Sequence, residues 1–139
     1  MPARSKPVDA RADRAVQAVL AVVTLGAFVF RQNLLIPALA VITGAGALGG
    51  PPANLLHRVF EVALGPRLKP PATTVAAETV QLQDVLAFGL FGLASLSLLI
   101  GLAGFAWILA VAEGLVAAVA ATTGIHLGVT VRDRLRRRG

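Results

Sequence analysis

No cysteine occurs anywhere in this chain, which excludes disulfides, thiolate metal sites and thiol catalysis by the chain alone. Charge is also scarce: Asp, Glu, Lys and Arg make up 14% of the 139 residues, where an ordinary soluble domain carries about a quarter. Histidine occurs only twice, at His57 and His126, and two isolated histidines make a poor metal site. No catalytic or ligand-binding motif stands out and no cofactor is implied. An enzyme needs several positioned polar groups, and one buried carboxylate with scattered Ser and Thr is thin provision.

What fills the chain is apolar: 56% of it is hydrophobic. Four stretches, 15–30, 34–50, 85–100 and 105–125, are apolar all round rather than on one face, at lengths near the roughly 17 to 25 residues that cross a bilayer. The expected fold class is therefore an all-α membrane protein. It is one domain with four transmembrane helices in two hairpins, divided as a basic N-terminus (1–14), hairpin 1 (15–50), an interfacial helix and loop (51–83), hairpin 2 (84–128) and a basic tail (129–139). The first two stretches are short enough that a hairpin dipping into the membrane is the alternative for them. Arg31-Gln32-Asn33 and a second apolar run follow the first stretch at once, which favours an uncleaved helix over a signal peptide.

Cations sort by side. Between the first two stretches lies only Arg31 and between the last two none, whereas the other twelve precede the first stretch, separate the second from the third, or follow the fourth. The positive-inside rule then puts both termini and residues 51–83 in the cytoplasm of a bacterial cell, with the chain in its inner membrane. The cations lack interleaved aromatics, so Arg58, Arg132, Arg134, Arg136, Arg137 and Arg138 are expected at anionic lipid headgroups and not on nucleic acid.

The hairpins look like copies offset by about seventy residues, because Asp13 precedes the turn at Arg31 by eighteen positions and Asp84 precedes the turn at Gly101 by seventeen. Both would start in the cytoplasm, making parallel repeats about an axis along the membrane normal. Between them, Leu55, Leu56, Val59, Phe60, Ala63 and Leu64 recur at helical spacing opposite His57, Arg58 and Glu61, from Pro51-Pro52 to Gly65-Pro66. This predicts an amphipathic helix in the cytoplasmic interface, with docking of a soluble partner as the alternative. Asp84 is a candidate N-cap for the third stretch.

Glu113 is the one carboxylate deep inside an apolar stretch. One reading makes it a proton-relay or ion-coupling group. The other, ranked first on sequence alone, makes it a neutral acid that hydrogen-bonds Ser95, Ser97, Thr24 or Thr43 and holds helices together. His126, thirteen residues on, is turned away by about 140° and is not its partner. Small residues at Ala106, Ala110, Gly114, Ala118 and Thr122, with Gly46–Gly50 and Gly124–Gly128, predict close helix packing. Trp107 fits an interfacial anchor.

Val8-Asp9-Ala10-Arg11, Gly50-Pro51 followed by Leu56 to Phe60, Gly65-Pro66-Arg67-Leu68, and Thr123-Gly124 ahead of Leu127-Gly128 together resemble a bacterial membrane-protein family catalogued as domain of unknown function 4395. That family commonly ends its last helix T-G-F-C-L-G-C, and association of its members with thioredoxin-like or rhodanese-like proteins implies thiol or sulfur chemistry. Here His126 and Val129 occupy the two cysteine positions, so the resemblance implies the architecture and no dithiol activity. The expected function is an accessory, anchoring or assembly subunit of a larger membrane complex, or a homo-oligomer. The runner-up is an oligomeric transporter or channel-like protein with Glu113 lining the pathway.

Overall fold

The computed structural model describes residues 7–64, 74–123 and 127–138, the stretch 127–132 by its backbone only. Helices dominate: α1 (Ala10–Val29), α2 (Leu35–Gly49), a 3-10 turn (Pro51–Ala53), α3 (Leu55–Leu64), α4 (Ala77–Leu99), α5 (Ala103–Thr123) and α6 (Leu127–Arg138). Three of them, α1, α4 and α5, are long and apolar enough to cross a membrane, and α2 is a shorter apolar helix. A two-residue antiparallel pairing of β1 (Val8–Asp9) with β2 (Thr74–Val75) ties the start of α1 to the start of α4.

Local chemistry sets the helix ends. The Asp9 carboxylate accepts the Arg11 backbone N–H at 2.8 Å and so caps α1. Its Arg11 guanidinium partner, 2.8 Å away, holds the Asp9 carboxyl below the usual carboxylate range. Asn54 does the same for α3, its Oδ1 accepting from the Leu56 N–H at 2.9 Å. The Asp84 expectation is corrected: α4 begins at Ala77, two turns before Asp84. The polar residues Glu78, Gln81 and Gln83 had masked that start, although Gln81 stays helical and donates to the Ala47 carbonyl near the end of α2 at 2.8 Å. Residues 127–138 are likewise helical rather than a simple tail.

The hairpins repeat in atomic detail. In the first, Phe30 N–H donates to Gly26 O (2.9 Å) and Gln32 N–H to Ala27 O (2.8 Å). Seventy residues on, Ile100 N–H donates to Leu96 O (3.2 Å) and Leu102 N–H to Ser97 O (2.8 Å). These are matched helix-terminating motifs with a left-handed residue at the turn, Arg31 (φ 54°) in one and Gly101 (φ 84°) in the other. Glycine takes that conformation freely, while arginine gives up about 1 kcal/mol for it.

Packing follows the same relation. α1 lies against α5 and α4 against α2, so each hairpin's first helix packs on the other hairpin's second, with α4 also against α5. Buried positions correspond as well: Ile36, Ala40, Thr43 and Gly44 on α2 match Ala106, Ala110, Glu113 and Gly114 on α5. Phe91, Leu20, Ile36 and Val80 are the largest apolar side chains fully enclosed in the core. α3 sits over the end of the bundle opposite the hairpin turns, against α1 and the end of α2.

Candidate functional site: a polar lane inside the bundle

Small residues bring α1 and α5 close together. A Cβ added at Gly114 would lie 3.2 Å from Thr24 Cγ2 and 3.3 Å from Thr24 Cβ. Ala106 and Ala110 are fully buried, but the face then follows the 3.6-residue period through Ala117 and Ala120. The stripe of every fourth residue drifts off it, leaving Ala118 half-buried and Thr122 exposed. At the same end Arg14 on α1 donates to the Ala121 and Thr122 carbonyls at 2.9 and 2.8 Å, satisfying the C-terminus of α5.

Close approach also recruits Asp84. Gly46 on α2 faces its carboxylate so tightly that a Cβ there would overlap Oδ2, and Asn54 Nδ2 donates to both carboxylate oxygens at 3.1 and 3.2 Å. Gly46→Ala should therefore turn Asp84 off Asn54 and cost about 2 kcal/mol, the scale of a lost buried, charge-assisted hydrogen bond. Thermal unfolding in detergent would measure it, and in an Asp84→Ala background the same substitution should cost almost nothing. Gly50, paired with Gly46 in the sequence pattern, works differently: it ends α2 at φ 79°, its N–H on Gly46 O at 2.8 Å.

Around these contacts runs a series of buried polar side chains. Asp13, Gln17 and Thr24 come from α1, Asn54 and His57 from the turn and α3, Gln83 and Asp84 from α4, and Glu113 from α5. Asp13, Gln17, Thr24, Gln83 and Asp84 are each 1% exposed and Glu113 is fully buried. His57 is corrected from the polar outer face of α3 to its inward face, where it is 6% exposed, while Leu55, Val59 and Val62 point outward. Burial lowers the His57 pKa, and the nearby Asp13 charge partly opposes this. Charge–charge range links His57 to Asp13, Asp13 to Asp84, and Asp84 to Glu113. Asp84 thus supplies the second acid near Glu113 that residue order alone did not reveal.

Hydrogen bonding divides these groups. Ser95, Ser97 and Thr43 each donate to a carbonyl of their own helix, at 2.8 Å to Phe91 O, Leu93 O and Leu39 O. None is given to Glu113. Among the described residues neither Glu113 oxygen has a hydrogen-bond partner, nor do Gln83 Oε1 and Nε2, Gln17 Oε1, Thr24 Oγ1 or His57 Nε2. Such clustering of unpaired buried polar atoms is uncommon in folded proteins. No group of three His, Asp or Glu able to hold a metal ion occurs among the described residues.

At the other end a shallow cleft of about 470 Å³ opens between the hairpin turns, lined by Phe28, Val29, Arg31, Asn33, Ala103 and Trp107. Trp107 Nε1 donates to Asn33 Oδ1 at 3.2 Å, and its ring meets Phe28 edge-on at 5.6 Å, so it clamps the two turns together. Arg58, Arg134, Arg136, Arg137 and Arg138 are exposed. His126 and Gly124 lie outside the described residues, as do the side chains of Val129 and Arg132.

Residues 8–137 match the family described as a domain of unknown function (DUF4395), and the chain belongs to it. No curated protein and no solved structure matches.

Proposed function

We propose that the chain crosses the bacterial inner membrane four times, with both termini and α3 cytoplasmic, and acts as an ion-linked transport or channel-like component with Glu113 on its pathway. The observation that carries this reading is the fully buried Glu113 carboxyl, whose oxygens have no partner among the described residues; of the four hydroxyls that would make it helix glue, those of Thr43, Ser95 and Ser97 are bonded to their own helices and that of Thr24 is bonded to none of the described residues. An ionisable group at such depth is costly and marks a functional position by default. The apolar outer face of α3 and the exposed arginines of α6 suit a cytoplasmic leaflet rich in anionic headgroups.

Two measurements test this. Reporter fusions at Gly139 and within Gln32-Asn33 should give opposite signals, and matching signals would defeat the four-span topology. Purified protein in liposomes should carry a flux under an imposed ion gradient. A second reading, an accessory or assembly subunit, is favoured by Gly89 and Gly92 on α4, which have open space above them where a partner helix fits. Stoichiometric recovery of an unlike membrane subunit in mild detergent, with no flux from the protein alone, would put that reading first.

A further inference from the structure

We propose that the cleft between the two hairpin turns binds the phosphate of an anionic phospholipid from the leaflet on that side, with Arg31 as its cationic partner. Glu113 plays no part, and the site draws on the four-span reading only for the hairpin turns lying at a bilayer surface. Arg31 is the single cation on either turn, and no acid stands beside it: of the seven carboxylates, none lies in residues 28–35 or 99–107. Its guanidinium makes no hydrogen bond or ion pair with any described residue. This unanswered charge belongs to a residue held in the left-handed region, at φ 54°. Gly101 takes the same place in the second hairpin without strain, so the turn by itself does not call for an arginine. A side chain kept on a strained backbone marks a position that faces a ligand.

The cleft supplies the rest of a headgroup site. Arg31 and Asn33 line it beside Trp107, whose Nε1 donates to Asn33 Oδ1 at 3.2 Å and leaves the Asn33 amide nitrogen open as a second donor to a phosphate oxygen. Phe28, Val29 and Ala103 make the remaining wall apolar. From Val29 that wall continues along α1 to Val22, seven residues and about 10 Å deeper on the same face, and both valines are 70% exposed, a strip on which an acyl chain can lie. The shape favours a lipid over a soluble anion. A shallow cleft of about 470 Å³ covers little of a freely diffusing phosphate ester, whereas a phospholipid is already confined to the bilayer at the depth where Trp107 anchors. Charge selects the headgroup. A zwitterionic lipid brings a cation of its own next to Arg31, where no carboxylate offsets it, and an anionic lipid does not.

Trp107 is the only tryptophan of the chain, so its fluorescence reads this cleft and not the lipids around the arginines of α6, which follows the far end of α5. The protein is placed in liposomes of phosphatidylcholine and phosphatidylglycerol, with bromines high on the acyl chains of one lipid or the other as quenchers. Phosphatidylglycerol should be preferred beside Trp107 by about fivefold, the effect of one cation at a headgroup surface. Arg31→Gly should bring the ratio close to one, and because glycine suits φ 54° it should keep or raise thermal stability. Arg31→Gln, which keeps the strained backbone and drops the charge, should lower the ratio in the same way. Equal quenching by the two lipids in the native protein, or an unchanged preference in both variants, would overturn the proposal. So would displacement of brominated phosphatidylglycerol in detergent by inorganic phosphate or glycerol phosphate, beyond the effect of sodium chloride at equal ionic strength, because the cleft would then serve a soluble anion. A preference lost in Arg31→Gly, together with matching signals from the reporter fusions, would uphold the site and reject the four-span topology.

Discussion

Gly114→Leu should disrupt the bundle by at least about 3 kcal/mol, the upper range for forcing extra carbons into a packed core, whereas Leu115→Ala should cost well under about 1 kcal/mol. Even the first carbon of a side chain at Gly114 would meet Thr24 at 3.2 and 3.3 Å and Leu25 Cδ2 at 3.7 Å. The remaining three carbons of leucine have nowhere to go except between α1 and α5. In a bilayer those helices are held by close contact and not by exclusion of water, since lipid is as apolar as leucine. Separating them therefore removes most of their attraction. It also pulls Arg14 from the Ala121 and Thr122 carbonyls at the end of α5. Leu115, next in sequence, is 55% exposed and loses little when shortened. Thermal unfolding in detergent would compare the two. Equal loss would mean that the α1–α5 contact is not what holds the bundle.

Close packing on α5 was legible in the sequence, though not that α1 would fill it, and the duplication was suggested there, because both are written in residue size and spacing. Small residues at Ala106, Ala110 and Gly114 mark a face on which another backbone can settle, and the turns at Arg31 and Gly101 mark the repeat. The start of α4 was not legible. Its first two turns carry Glu78, Gln81, Gln83 and Asp84, and a polar stretch ahead of an apolar one reads as flank unless its partners are known. Those partners come from elsewhere in the chain: Gly46 makes room for Asp84, Asn54 bonds it, and Ala47 accepts from Gln81.

The same reason hid most of the polar lane. Asp13, Gln17, Gln83 and His57 sit where a cytoplasmic boundary is expected, and only the packing of α1, α4 and α5 with α3 over the end turns them inward. Amphipathicity misled at α3: of His57, Arg58 and Glu61, read together as its polar face, only His57 is covered by the bundle, and Leu56 from the face read as apolar packs against the core. Glu113 alone stood out as a candidate in the sequence, because no flanking explanation exists for a carboxylate in mid-helix. What it does was ranked on the expectation of hydroxyl partners, of which Ser95, Ser97 and Thr43 are bonded elsewhere and Thr24 is bonded to none of the described residues.

Glu113→Gln should then leave the fold intact and lower flux in liposomes by about a hundredfold, within the range that loss of a proton-transferring group produces. Glutamine keeps the size of the side chain and its capacity to hydrogen-bond, so a carboxyl that only joined helices would be replaced with little consequence. It cannot take up or release a proton, so a carrier would stop. Glu113→Asp supplies the converse: it retains the titrating group on a shorter stem and should keep part of the flux. Thr43, which occupies the corresponding position on α2, bonds its own helix and leaves one carboxyl where the repeat would allow two. Thr43→Val should accordingly leave flux unchanged while Glu113→Gln removes it. Native flux in a folded Glu113→Gln protein would take Glu113 off the pathway and return the assembly reading to first place.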